Sequence, residues 1–162
     1  MLITLLVYTA EVFREPILYL SLFFKTHRSL YYDHLQAVRT QGAWEEWLEF
    51  FLEGVTETSR QATETARELL NLFEQDRARI ERLGRPAASA LRVHQRLQQN
   101  PVLAIPDGAR QLGLTVPTVT KAITHLEQLG IVAEITGKQR HRRYAYSRYL
   151  EILNRGTEPL PR

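Results

Sequence analysis

The stretch Leu112–Val132, LGLTVPTVTKAITHLEQLGIV, constrains the fold more than any other part of this chain. It reads as the end of a short helix, a turn and a second helix of about twelve residues. Two helices joined this tightly must cross at a fixed angle. Ala109 is small enough to sit at the crossing, and Gly113 is free to take the positive φ of the turn. Thr115 is a candidate cap, and Pro117 falls in the first helical turn, where its missing N–H costs little. Val119, Ile123, Leu126 and Leu129 recur at i, i+4, i+7 and i+10, the spacing of a buried stripe. Gly130 is the stop signal.

The flanks extend this pattern. Ala87, Ala90, Leu91, Val93, His94 and Leu97 predict a helix that ends at Asn100–Pro101. VLAI is a short apolar stretch, PDGARQLG a short helix, and IVAEIT and RRYAYS two strand-like pieces around GKQRH. RYLEILNRG predicts a last short helix and TEPLPR a frayed tail. The order helix, strand, helix, helix, strand, loop, strand is that of a winged helix–turn–helix. In such a unit the outer face of the second helix enters the major groove. Thr118, Lys121, Thr124, His125 and Gln128 fall on that outer face. Gly137 predicts a tight hairpin tip. Lys138, Arg140, Arg142 and Arg143 put four positive charges in six residues around it, suited to phosphates. The expected partner is double-stranded DNA. The expected contacts are Thr115, Thr118, Lys121, Thr124, His125, Lys138, Arg140, Arg142 and Arg143.

Ahead of this unit no alternating strand pattern occurs before residue 100, so the expected class is mainly α. Residues 2–13 form an apolar run without Gly or Pro, and Pro16 ends that run or opens the next helix. Apolar and aromatic residues continue at helical spacing from Ile17 to Arg39, with a helix start near Ser29 and a turn at TQG, 40–42. Trp44, Trp47, Leu48, Phe51, Leu52 and Val55 predict one face of an amphipathic helix. Residues 56–84 form a long polar helix with a thin stripe of Ala62, Ala66, Leu69, Phe73, Ile80 and Leu83, broken by Asp76. The stripe has coiled-coil spacing, but a helix packed along its own neighbours is favoured, because the seam is interrupted. Gly84 and the GRP that it opens mark a boundary. The expected organisation is a helical part over 1–55, a connecting helix over 56–84, the winged unit over 85–156 and a tail over 157–162.

Charge follows the same division. Residues 1–55 hold four Lys/Arg against seven Asp/Glu, whereas residues 85–162 hold twelve against five. A basic back end behind an acidic front points to a polyanion partner for the back only. The chain has no Cys, which excludes disulfides, thiolate zinc sites and Cys nucleophiles and fits a reducing cytoplasm. The apolar start is too short to span a bilayer, so neither a membrane anchor nor a signal peptide is expected. No spacing suited to a metal is present in the sequence, and no cofactor is expected.

Residues 17–55, ILYLSLFFKTHRSLYYDHLQAVRTQGAWEEWLEFFLEGV, resemble the C-terminal part of the Fic (filamentation-induced-by-cAMP) family. LITLLVY at residues 2–8 resembles the helix that follows the catalytic loop in that family. The resemblance is typical of members with a winged helix behind the Fic domain. It implies an all-helical front whose relatives transfer AMP, or another phosphate-containing group, onto protein hydroxyls. The family signature H-x-F-x-x-G-N-G-R does not occur here, and the chain begins where that loop would have ended. No catalytic residue is therefore carried over. His27, His34, His94, His125 and His141 are expected to be solvated or hydrogen-bonded side chains rather than bases. Three readings follow. They are a DNA-binding protein with a truncated Fic remainder, a fragment of an AMP-transferring enzyme whose loop lies upstream, and an interaction module that pairs with a second copy or another protein through residues 1–83.

Overall fold

The structure, a computed structural model, describes residues 20–138 and 140–155. The expectations for residues 2–13, Pro16 and the 157–162 tail fall outside the described residues. The fold is mainly helical with one small antiparallel sheet. In chain order the elements are α1 (Leu20–Thr26), α2 (Arg28–Gln41), α3 (Trp44–Glu81), α4 (Ala87–Gln99), β1 (Val102–Ala104), α5 (Ile105–Leu112), α6 (Val116–Gln128), β2 (Val132–Glu134), β3 (Arg143–Tyr146) and α7 (Ser147–Asn154). The chain divides into two compact units, with the division between Ala66 and Arg67, inside α3.

In the first unit Gly42 ends α2. It adopts φ +70, its N–H donates to the Val38 carbonyl, and the Ala43 N–H reaches back to that of Ala37. Phe23, Trp47 and Phe50 are buried together, with Phe24, Tyr31, Leu35, Val38 and Phe51 packed around them. Ring centroids of Phe23 and Phe50 lie 5.4 Å apart and those of Tyr31 and Trp47 5.5 Å apart, within the range of favourable aromatic pairs. The inward ridge of α3 is therefore Trp47, Phe50, Gly54 and Thr58. This corrects the expected face, since Trp44, Leu48 and Leu52 are 60%, 53% and 60% exposed. Gly54 explains the shift. A Cβ there would lie 2.7 Å from the Phe23 ring, so the glycine lets α1 approach the helix closely. A mid-helix Gly costs about 1 kcal/mol relative to Ala, and here the packing of Phe23 offsets it. The break expected at 55/56 is accordingly absent, and α3 runs unbroken through it.

The second unit covers Arg67–Gly156. Its core gathers Ile80 from α3, Ala90, Val93 and Leu97 from α4, Ala109 from α5, and Val119, Ala122, Ile123 and Leu126 from α6. Leu103, Ile131, Val132, Tyr144 and Tyr146 close it from the sheet side. The sheet order is β1-β3-β2. Both pairings are antiparallel, with Leu103 opposite Tyr144 and Ala133 opposite Ala145. Phe73, Ile80 and Leu83 of the stripe thus pack on their own chain, as favoured, while Ala62 and Ala66 stay exposed. The compact unit begins at Arg67 rather than after the GRP at 84–86, because Leu72, Phe73 and Ile80 belong to its core.

Asp76, the residue that interrupts the stripe, is only 4% exposed. Its carboxylate accepts from the Tyr146 hydroxyl at 2.7 Å and from Arg79 at 2.7 Å. The Tyr146 oxygen lies 3.3 Å from His94 Nε2, and the Gln98 amide meets His94 Nδ1 at 3.2 Å. Burial pushes His94 below its ordinary range, with the Asp76 charge opposing. Burial, then the bond to Asp76, pushes the Tyr146 hydroxyl strongly upward. A buried polar group is tolerable only when satisfied. Among the described residues no buried side-chain N or O atom lacks a partner.

Candidate nucleic-acid interface

Helix α6 is fixed at both ends by local chemistry. Thr115 is its N-cap and accepts from the Thr118 N–H at 3.3 Å. Gly113 ends α5 at φ +60, and the Leu114 N–H returns to the Ala109 carbonyl at 3.0 Å. At the far end Gly130 takes φ +69, and the Ile131 N–H reaches the Leu126 carbonyl. Arg79 donates to the Leu129 carbonyl there, and Arg92 donates to the Leu112 carbonyl at the end of α5. Besides the expected Ala109, Gly108 lets α5 pack closely on Leu103 of β1 and Val119 of α6. A Cβ on Gly108 would stand 3.0 Å from Leu103 and 3.3 Å from Val119. Together these contacts set which face of α6 looks outward.

Val119, Ala122, Ile123 and Leu126 point into the core. Thr115, Val116, Thr120, Lys121, Thr124 and Gln128 are exposed, whereas Thr118 and His125 are half-buried. The hydroxyls on this face are already engaged. Thr115 Oγ1 and Thr118 Oγ1 share a hydrogen bond of 2.8 Å. Thr120 donates to the Val116 carbonyl at 2.8 Å, and Thr124 donates to the Thr120 carbonyl at 3.0 Å. Thr115 and Thr118 therefore serve the cap. Thr120 and Val116, absent from the expected contacts, stand on the same outward ridge as Thr124 at i, i+4 and i+8. The helical spacing carried that signal, but Val116 reads in sequence as a core residue.

The connection between β2 and β3 spans residues 135–142, not the tight tip expected from Gly137. The cause is Glu134. Its carboxylate accepts from the Thr136 N–H at 2.8 Å, from the Thr136 hydroxyl and from the Gly137 N–H at 3.0 Å. These bonds, the one from the Thr136 side chain foremost, hold its pKa below the usual carboxylate range. They close a local turn at Thr136–Gly137 at the start of the loop. At the return His141 adopts φ +56, and Arg142 Nε donates to the Lys138 carbonyl at 3.0 Å. Lys138, Arg140, His141 and Arg142 are exposed on this loop. Arg143 instead belongs to β3, opposite Ala104, and lines a depression of about 290 Å³ with Arg96, Asp107 and Gln111.

Electrostatically the two candidate surfaces share one property. Among the described residues, none of Lys121, Lys138, Arg140, Arg142 and Arg143 has a carboxylate within 4.0 Å. Arg60, Arg77, Arg79, Arg110, Arg148 and Arg155 all do. The remaining histidines lie elsewhere. His27 Nδ1 is 3.0 Å from the Phe23 carbonyl, His34 stacks on Phe50 and His94 is buried. Among the described residues no three His, Asp or Glu side chains are grouped to hold a metal, and no helix is long and apolar enough to cross a membrane.

No protein-family model matches this chain, and no curated protein matches its sequence.

Proposed function

We propose that residues 67–155 form a winged helix that binds double-stranded DNA, with α6 in the major groove and the 135–142 loop on the phosphate backbone. The observation that carries this reading is the set of exposed cations on α6 and the loop, none of which has a carboxylate within 4.0 Å among the described residues, Arg142 acting on Glu134 only at longer range. A polyanion supplies the missing partner and releases its counterions on binding. The tight turn between α5 and α6 leaves Thr115, Val116, Thr120 and Lys121 exposed near the start of α6, which supports a role in reading base edges. A regulatory role is the natural use of such a module.

The test is titration of a fluorescent duplex over a salt series. With about four phosphate contacts, log affinity falls with log salt at a slope of about −4. Lys121→Ala weakens binding to a preferred duplex. Absence of binding to any DNA at low salt overturns the reading.

For the front unit, we read residues 1–55 as a helical remainder of Fic type, without the H-x-F-x-x-G-N-G-R loop in this chain. Incubation with labelled ATP is then expected to give no label transfer, and transfer would restore the enzyme reading. The exposed Trp44–Leu48–Leu52 ridge favours a contact with protein, a second copy included, since contiguous apolar surface promotes association. A strictly monomeric chain by light scattering at micromolar concentration counts against the second copy.

A further inference from the structure

The outward ridge of α6 is chemically unusual for a surface that reads DNA by hydrogen bonds. It consists of Val116, Thr120 and Thr124 at successive turns of one helix. Val116 is 49% exposed at the first helical position, where a polar residue would cost nothing. Thr120 and Thr124 have both spent their hydroxyl protons on the helix backbone, at 2.8 and 3.0 Å. Each hydroxyl forms a bond four residues back along its own helix, the usual alternative for Thr in a helix. The Cγ2 methyl groups are then the unengaged surface of those side chains. The ridge therefore offers methyl groups and oxygen lone pairs, but no neutral donors. Lys121 beside it is the one cationic donor of α6.

In the major groove guanine presents only acceptors, and thymine presents a 5-methyl group beside its acceptor. This ridge, without neutral donors, meets guanine poorly wherever Lys121 and the Gln128 amide at the far end of α6 do not reach. It meets thymine through methyl-to-methyl contact and adenine N6–H₂ through the threonine oxygens. We propose that the α6 ridge reads A·T pairs in the major groove, with Val116 and the Thr120 methyl packed on thymine 5-methyl groups. This rests on the DNA-binding reading above and specifies which ligand that site takes.

The experiment uses the full chain and a duplex recovered by selection from a randomised pool. Each thymine is replaced in turn by deoxyuridine, which removes only the methyl group, and affinity is followed by fluorescence anisotropy. Burial of one methyl group corresponds to about a fourfold change in affinity. One or two positions should show that loss, and Val116→Ala should abolish it at its own position. Thr120→Val keeps the methyl and removes the hydroxyl, so it retains binding and the thymine–deoxyuridine difference. Thr120→Ser keeps the hydroxyl and removes the methyl, so it binds about fourfold more weakly and loses the thymine–deoxyuridine difference at its position. Thermal unfolding of each variant at the wild-type temperature establishes that it is folded. If no duplex binds, the DNA reading itself fails. If the duplex binds but deoxyuridine has no effect anywhere, or Thr120→Ser binds like wild type while Thr120→Val does not, the methyl reading alone is overturned.

Discussion

Helix α3 and the β2–β3 loop are both rich in arginine and use it in opposite ways. Along α3, three of four arginines, Arg60, Arg77 and Arg79, each lie 2.7–2.9 Å from a carboxylate three or four residues away, and Arg67 has none within 4.0 Å among the described residues. In the loop, Arg140, Arg142 and Lys138 have none within 4.0 Å among the described residues, although a carboxylate at Glu134 is close in sequence. That carboxylate is occupied by Thr136 and Gly137. A cation neutralised by its own helix contributes locally and offers little to a partner. A cation without an ion pair in its own fold leaves more of its field for an external anion, although Arg142 still acts on Glu134 at longer range. Arginine content alone therefore says little about polyanion binding, and the position of the acids decides it.

The largest expected effect tests whether the end of α3 is structural. Ile80 is fully buried, so Ile80→Ala should cost about 2–5 kcal/mol in urea unfolding. A near-neutral result would detach α3 from the second unit's core. Next comes Asp76→Ala, which removes the acceptor of the buried Tyr146 hydroxyl and should cost about 1–3 kcal/mol by the same measurement.

His94 adds a pH dependence of known sign. Burial depresses its folded pKa below 6.5, so the neutral ring is the folded form. Its contribution is complete above the unfolded value and is lost as pH falls through the folded one, by at most about 1.4 kcal/mol per pH unit. Chemical unfolding at neutral and mildly acidic pH should show this loss, and His94→Gln should remove that part of it. An unfolding midpoint independent of pH in the wild type would sink the assignment.

On the loop side, the double change Arg140→Ala, Arg142→Ala should leave stability within about 0.5 kcal/mol. It should also reduce the salt slope of DNA binding by about 2. Loss of stability without a change in slope would make these residues structural, like those of α3. The smallest effect belongs to Arg77→Ala, whose pair with Glu81 is exposed. Neither the unfolding midpoint nor duplex affinity should move measurably.

Much of the second unit was legible because its signals are local. Gly113, Thr115 and Gly130 act through their own φ angles and nearest backbone groups, and α5 and α6 end where they dictate. The exposure of Lys121 and the loop cations followed from spacing in the same way. That Gly54 lies on the buried face of α3 was not legible, because the group that packs on it is Phe23, on another helix. The longer loop was hidden too, since Gly137 signals a turn equally well when Glu134 has recruited it to a different one. Thr115, Thr118 and Thr124 read in sequence as donors to bases or phosphates, yet their hydroxyls are engaged within the helix and its cap.

The sequence by itself determined the helical character of the chain, the helix–turn–helix spacing, the strand pair after it and the concentration of positive charge at its back end. These depend on residue periodicity and on groups within a few positions of one another. Only the tertiary structure decided that Asp76 is buried rather than solvated, because its partner Tyr146 lies seventy positions away. It also decided that Trp44, Leu48 and Leu52 face outward and that Arg143 sits in the sheet rather than on the loop. An apolar or charged side chain carries no record of which neighbour will cover it, and that is fixed only when distant elements pack.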